Sequence, residues 1–190
     1  RGDIGRFDIL DPPGQQRLPE RYLILEVSAD LRDRQRALLQ ERVPELMTRI
    51  EWLDQLPEDF RGVLLANEVL DALPIQRFRI RGLQVNQLGV TWQFGRLEWS
   101  EVHADPALEA AVREIEFNLG EPFPDGYTSE INLGLTPWIA GIASSIREGV
   151  AFFIDYGLPR RQYYASSRSE GTMLCHFRHR FHDDALINVG

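Results

Sequence analysis

The chain has 190 residues, 29 acidic and 21 basic side chains, a net charge of −8 and 43% hydrophobic residues. Every basic residue is arginine, which excludes Schiff-base, pyridoxal and P-loop lysines, and the acidic balance argues against a nucleic-acid binder. A single cysteine, Cys175, excludes an intramolecular disulfide and fits a reducing compartment, and no apolar run reaches the ~20 residues that span a bilayer.

Residues 1–20 carry Gly2, Gly5, Gly14 and Pro12-Pro13 and show no sustained period; the opening Arg1, in place of Met, suggests a piece of something longer. Tyr22 to Val27 is a nearly continuous apolar run, the pattern of a strand buried on both faces. Asp30 is placed to cap a following helix with Asp33 in its first turn, striped by Leu31, Leu38, Leu39 and Val43 and closed by Pro44. Ile50 to Leu53 reads as a short strand and Gly62 to Ala66 as a stronger one, so the three runs predict a parallel α/β sheet.

The pattern changes from Ile75 to Val102. Phe78/Ile80, Val90/Trp92/Phe94 and Leu97/Trp99 alternate with polar residues between Gly82, Gly89 and Gly95, predicting an antiparallel meander whose aromatics are core. Asp105-Pro106 and Thr136-Pro137 each mark a helix start, and Gly149 stands where the second helix would end in a left-handed residue. Val150 to Asp155 reads as another buried strand, and Thr172 to Phe181 as one alternating strand. The expected organisation is an α/β domain over residues 1–74 and 103–190, with an antiparallel β insertion at 75–102.

In open α/β sheets, ligands bind beyond the carboxyl ends of the strands. Three acidic features fall there: Glu26, Asn67-Glu68 with Asp71, and Asp155-Tyr156. A carboxylate such as Glu26 can accept both hydroxyls of a ribose, though a surface acid near a helix start fits equally. Asn67 beside Glu68 offers donor and acceptors at one point, suited to an amine or guanidinium, with Asp71 on the same face of a short helix; a charged first turn of an ordinary helix is the plainer alternative. Cys175, His176, His179, His182, Asp183 and Asp184 are close in sequence, but in one strand they alternate between faces and no second cysteine completes a zinc pattern, so no metal is expected.

Four separated stretches together resemble the MidA family of S-adenosylmethionine-dependent methyltransferases. They are Tyr22-Leu23-Ile24-Leu25-Glu26-Val27-Ser28 with Leu31-Arg32 and Gln35; Gly62 through Pro74 with Asn67-Glu68-Val69-Leu70-Asp71 inside it; Asp155-Tyr156-Gly157; and Gly171-Thr172-Met173-Leu174-Cys175 with His179. Glu130 and Trp138 fall in the family's order as well. The resemblance covers most of residues 20–190 and implies a class I methyltransferase (Rossmann-like) fold with a substrate-side insertion. One departure stands out: the family's Gly-rich loop ahead of the Glu26 strand is not found, and Gly2-Asp3 and Phe7-Asp8-Ile9-Leu10 look like its flanks.

The family includes a mitochondrial assembly factor that dimethylates an arginine of a respiratory complex I subunit. The resemblance therefore implies S-adenosylmethionine as cofactor; the substrates of bacterial members are not implied by it, and the expected acceptor is an arginine of a partner protein, with a respiratory-complex subunit among the candidate partners and a homodimer among the candidate assemblies. Glu26, Ser28, Asp54 and Asn67 are the expected cofactor residues, and Asn67, Glu68 and Asp71 the catalytic ones. Glu130, Asp155, Tyr156 and His179 are expected on the substrate wall. The alternatives are a small-molecule methyltransferase and an inactive assembly module with the same fold. Arginine in place of lysine throughout suggests a GC-rich coding bias, hence a bacterial cytoplasm ahead of a mitochondrial matrix.

Overall fold

The computed structural model describes residues 18–177 and 180–187, divided at residue 59/60 into two compact units. In the first, β1 (Tyr22–Leu25) leads into α1 (Ala29–Arg42), a 3-10 turn (Pro44–Arg49) and β2 (Ile50–Leu53). β1 and β2 pair in parallel from Tyr22↔Ile50 to Leu25↔Leu53, a β-α-β unit. Ser28, rather than Asp30, caps α1: its extended backbone aims the hydroxyl at the Leu31 N–H, and Asp30 falls inside the first turn beside the positive helix end. Tyr22 and Leu25 are exposed, against the expectation of burial on both faces, and β2 is the only ladder partner of β1 among the described residues.

The second unit holds two sheets and a hairpin. β3 (Phe60–Asn67) pairs in parallel with β8 (Ile146–Ile154). One face of this ladder is covered by α3 (Leu135–Ser145), whose Trp138 meets Phe153 edge-on at 5.9 Å and whose Ile142 is buried. The other face presents Val63, Leu65, Val150, Phe152 and Ile154 exposed. α3 begins after Gly134 with no side-chain cap, so Thr136-Pro137 lies within its first turn instead of preceding it. Gly149 is not a helix end at all. It pairs with Gly62 at φ +153°, and a Cβ there would sit 2.0 Å from the Gly62 carbonyl oxygen, so glycine serves a close backbone approach.

The antiparallel sheet has the order β6-β5-β4-β7, from β4 (Gln76–Arg81), β5 (Gln84–Gln93), β6 (Arg96–His103) and β7 (Thr128–Ile131). It thus runs past the 75–102 segment and takes its fourth strand from beyond α2 (Pro106–Leu119). Asp105 caps α2 as the sequence suggested, accepting the Leu108 N–H at 2.8 Å, and Gly120 ends it left-handed. Leu108, Val112 and Ile115 of α2 pack with Phe78, Ile80, Val85, Phe123 and Tyr127 into the core.

The meander aromatics divide. Phe78 is fully buried, but Trp92 and Phe94 lie on the outlying half of the ten-residue β5 and its turn, and Phe94 is 94% exposed. Phe94 and Gly95 both have positive φ between paired Gln93 and Arg96, as a two-residue hairpin turn requires. After the short α4 (Arg160–Tyr163), Thr172 to Phe181 forms no single strand. β9 (Cys175–Phe177) and β10 (Arg180–His182) pair antiparallel, with Cys175 opposite His182. Among the described residues, no helix is long and apolar enough to cross a membrane.

Candidate functional site

The parallel strands β3 and β8 end together, and the chemistry gathers at that end. The Glu68 N–H donates to the Ile154 carbonyl at 2.8 Å, continuing the ladder one residue past Asn67. Glu68 itself has φ +50°, a left-handed conformation that is costly for a side chain with a Cβ and that concentrates at functional sites. Residues 68–73 form a turn and not the expected short helix. Asp71 is therefore placed by tertiary contacts rather than by helical spacing.

Those contacts come from the end of β8. Asp155 Oδ2 accepts the main-chain N–H groups of Leu70 (2.9 Å) and Asp71 (3.2 Å), and its Oδ1 accepts the Tyr156 N–H (2.9 Å). The Tyr156 hydroxyl donates to Asp71 Oδ2 at 2.5 Å. That bond to Asp71, and the nearby negative charges of Asp71, Asp155 and Glu68, hold the Tyr156 phenol above its ordinary pKa. Asn67 and Glu68 are exposed, and the Glu68 carboxylate has no hydrogen bond or ion pair among the described residues. Of the three acids at this strand end, Glu68 is the one left available.

Glu26 stands after β1 in the first unit. Its Oε1 accepts the Ser28 N–H (2.9 Å) and its Oε2 accepts Gln35 Nε2 (3.3 Å), while Gln35 Oε1 accepts the Trp52 indole N–H (3.0 Å). Each carboxylate oxygen keeps a lone pair unspent, so a vicinal diol could still be bound there. Ser28 supports this acid through its main chain and caps α1 with its hydroxyl. Asp54 is exposed and pairs with Arg32 at 2.8 Å; Arg32 also donates to the Glu26 and Leu53 carbonyls, tying the ends of β1 and β2 together.

Glu130 lies on β7 and is only 2% exposed. Its carboxylate accepts Arg77 Nε (3.3 Å), the Thr172 N–H (2.8 Å), the Thr172 hydroxyl (3.2 Å) and the Tyr163 hydroxyl (3.5 Å). A group so fully engaged is a fastening for residues 169–172, not an open substrate wall. Arg77, Tyr163 and Thr172 were missed because they are 33 to 53 positions from Glu130; Gly171, beside Thr172, lacks the Cβ that would stand 2.1 Å from the carboxylate oxygen. His179 falls outside the described residues. Among those described, no group of three His, Cys, Asp or Glu side chains is gathered as a metal would need.

Residues 8–190 match the sequence model of a family described as "Putative S-adenosyl-L-methionine-dependent methyltransferase". The chain belongs to that family. A search of curated proteins gives no match. Among solved structures, a "likely methyl transferase" of Burkholderia thailandensis bound to S-adenosyl-homocysteine shares 34% identity and a TM-score of 0.78, covering 88% of this chain and 42% of that one. An uncharacterized member of the same superfamily from that organism shares 36% identity at TM-score 0.78, covering 88% of this chain and 44% of its own. The chain thus spans under half the length of these two relatives. The α/β class and the methyltransferase-like fold expected from the motifs are those of the family.

Proposed function

We propose that the chain carries the cofactor-binding and acceptor-orienting strand ends of an S-adenosylmethionine-dependent methyltransferase, and that the acceptor is an arginine guanidinium on a partner protein. The observation that carries this reading is Glu68: an exposed carboxylate, left-handed, at the joint end of two parallel strands, with no hydrogen-bond or ion-pair partner among the described residues. When bound, the cofactor supplies an electrophilic methyl group on a sulfonium. Glu26, with a lone pair free on each oxygen, would hold the ribose hydroxyls, steadied by Ser28 and Gln35.

The acceptor's task is positional, because methyl transfer is an in-line displacement that gains most from alignment and electrostatics. The Glu68 carboxylate accepts guanidinium N–H groups in the bidentate manner and draws the positive charge toward its own side. The nitrogen on the opposite side is thereby the one presented for attack. The Asn67 amide completes the cradle as donor or acceptor. Asp71 and Tyr156 bond to each other and add negative potential that favours a cation over a neutral acceptor. A subunit of a respiratory complex is the acceptor class that the family resemblance offers, and a bacterial cytoplasm is the location that arginine in place of lysine throughout favours.

Calorimetry of the full-length protein with S-adenosylmethionine tests the first half: no binding at millimolar cofactor would sink it. Glu68→Gln tests the second, since it keeps shape and removes charge. Cofactor affinity should stay within about threefold while transfer to an arginine acceptor falls by about two orders of magnitude or more. Loss of cofactor binding in that variant would show that Glu68 serves the other ligand.

A further inference from the structure

We propose that Asp155 is a positioning residue: by accepting the main-chain N–H groups of Leu70, Asp71 and Tyr156, its carboxylate holds the turn that keeps Glu68 left-handed at the end of β3. The three bonds use both oxygens, at 2.9, 3.2 and 2.9 Å. Three of the carboxylate's acceptor sites are spent in this way on nearby main-chain N–H groups, and one remains on Oδ1. Asp155, which the sequence placed on the substrate wall, is thereby the support of the turn that carries Glu68.

The energetics agree. A non-glycine residue in the left-handed region costs about 1–3 kcal/mol and persists only where its surroundings over-determine it. Past Glu68 the segment forms no helix, and of its N–H groups only that of Leu73 is seen to find an acceptor inside the turn, the Leu70 carbonyl at 3.3 Å; the others need acceptors from elsewhere. The Ile154 carbonyl takes the Glu68 N–H, and Asp155, the next residue along β8, takes two more. Consecutive residues of one strand end thus fix the turn on both sides of the strained position. Tyr156 extends the brace, its hydroxyl reaching Asp71 at the far side of the turn. One strand end shapes the other, and the shaped residue is the acid whose carboxylate has no bond among the described residues. The inference rests on the methyltransferase reading only for what Glu68 does, not for how it is held.

The test is nuclear magnetic resonance on the isotopically labelled full chain, comparing the unaltered protein with Asp155→Ala and Asp155→Asn. In Asp155→Ala the Glu68 Cα and Cβ shifts should move away from left-handed values. The Leu70 and Asp71 amides should exchange about tenfold faster or more, as loss of a charge-assisted acceptor implies. Asp155→Asn keeps one acceptor oxygen and should lie between. Amides at the centre of β3, Leu64 and Leu65, should be unchanged in both variants, a pattern that a general loss of structure would not give. Unchanged Glu68 shifts with unchanged Leu70 and Asp71 exchange in Asp155→Ala would overturn the proposal. So would equal loss of protection along all of β3 in both variants. A failure of the methyltransferase reading would appear separately, as absent cofactor binding by the unaltered chain, and would leave the resonance outcome readable.

Discussion

Truncating Glu130 to alanine should be among the most damaging changes in the second unit. It removes the acceptor of the Thr172 N–H and hydroxyl and of the Tyr163 hydroxyl, and it takes the counter-charge from Arg77, whose side chain is only 14% exposed. Breaking a buried ion pair from one side costs about 3–5 kcal/mol. Arg77 keeps the Glu170 carbonyl at 3.3 Å and the Trp99 ring at 4.7 Å, which places the expectation near the lower end, about 3 kcal/mol. With a urea m-value of about 2–3 kcal/mol/M, the midpoint should fall by roughly 1–1.5 M at unchanged m. Because the pair is buried, raising the salt concentration should change this loss little. Gly171→Ala supplies the second arm, since its Cβ would stand 2.1 Å from Glu130 Oε1. In the Glu130→Ala background that obstruction is gone and only the cost of the positive φ remains. The two losses should therefore be less than additive. A loss below about 1 kcal/mol for Glu130→Ala, or strict additivity in the cycle, would refute the claim that this carboxylate fastens residues 169–172.

Gly149→Ala should destabilise by about 3 kcal/mol or more, measured by the same unfolding curves, because its Cβ would strike the Gly62 main chain; Gly82→Ala, with nothing within 4 Å, should cost only about 1 kcal/mol. Glu101, bonded by Arg81, Asn86 and Arg79, has its carboxyl lowered to about 2 from 4.5. A depressed carboxylate contributes stability that is present above pH ~4.5 and lost as the pH falls toward ~2, by at most about 1 kcal/mol at this partly exposed site; Glu101→Gln should flatten that segment of the stability–pH curve. Tyr156 should titrate above the ordinary tyrosine range in a ¹³C resonance titration, since its bond to Asp71 and the surrounding carboxylates disfavour the phenolate, and Asp71→Asn should bring it down.

What the sequence revealed and what it hid divide by the distance over which each feature is decided. The start of α2 was legible because Asp105 and Leu108, which make the cap, are three residues apart. The strand ends carrying Glu26, Glu68 and Asp155 were legible because each apolar strand run reaches an acid within two residues of its end. The turn after β3 was not. Its shape is set by Asp155, 85 positions from Leu70, and spacing alone suggested a helical turn instead. Gly149 followed a helix and was read as its end, whereas its reason is Gly62, on another strand. Glu130 had the look of a binding acid until Arg77 and Thr172, far off in sequence, were seen to use it up. At Ser28 and Asp30 two capping residues competed two positions apart, and only backbone geometry chose between them.

The left-handed backbone at Glu68 has a consequence for how this family diverges. Glycine at that position would relax the main chain, so selection on folding alone pulls toward glycine, and only a use for the carboxylate pulls back. Under the proposed function, the residue found there records whether the side chain is needed. Lineages that abandoned the chemistry should drift to glycine or asparagine at this site while keeping the apolar strand before it, and an alignment column can therefore report loss of function before any assay is run.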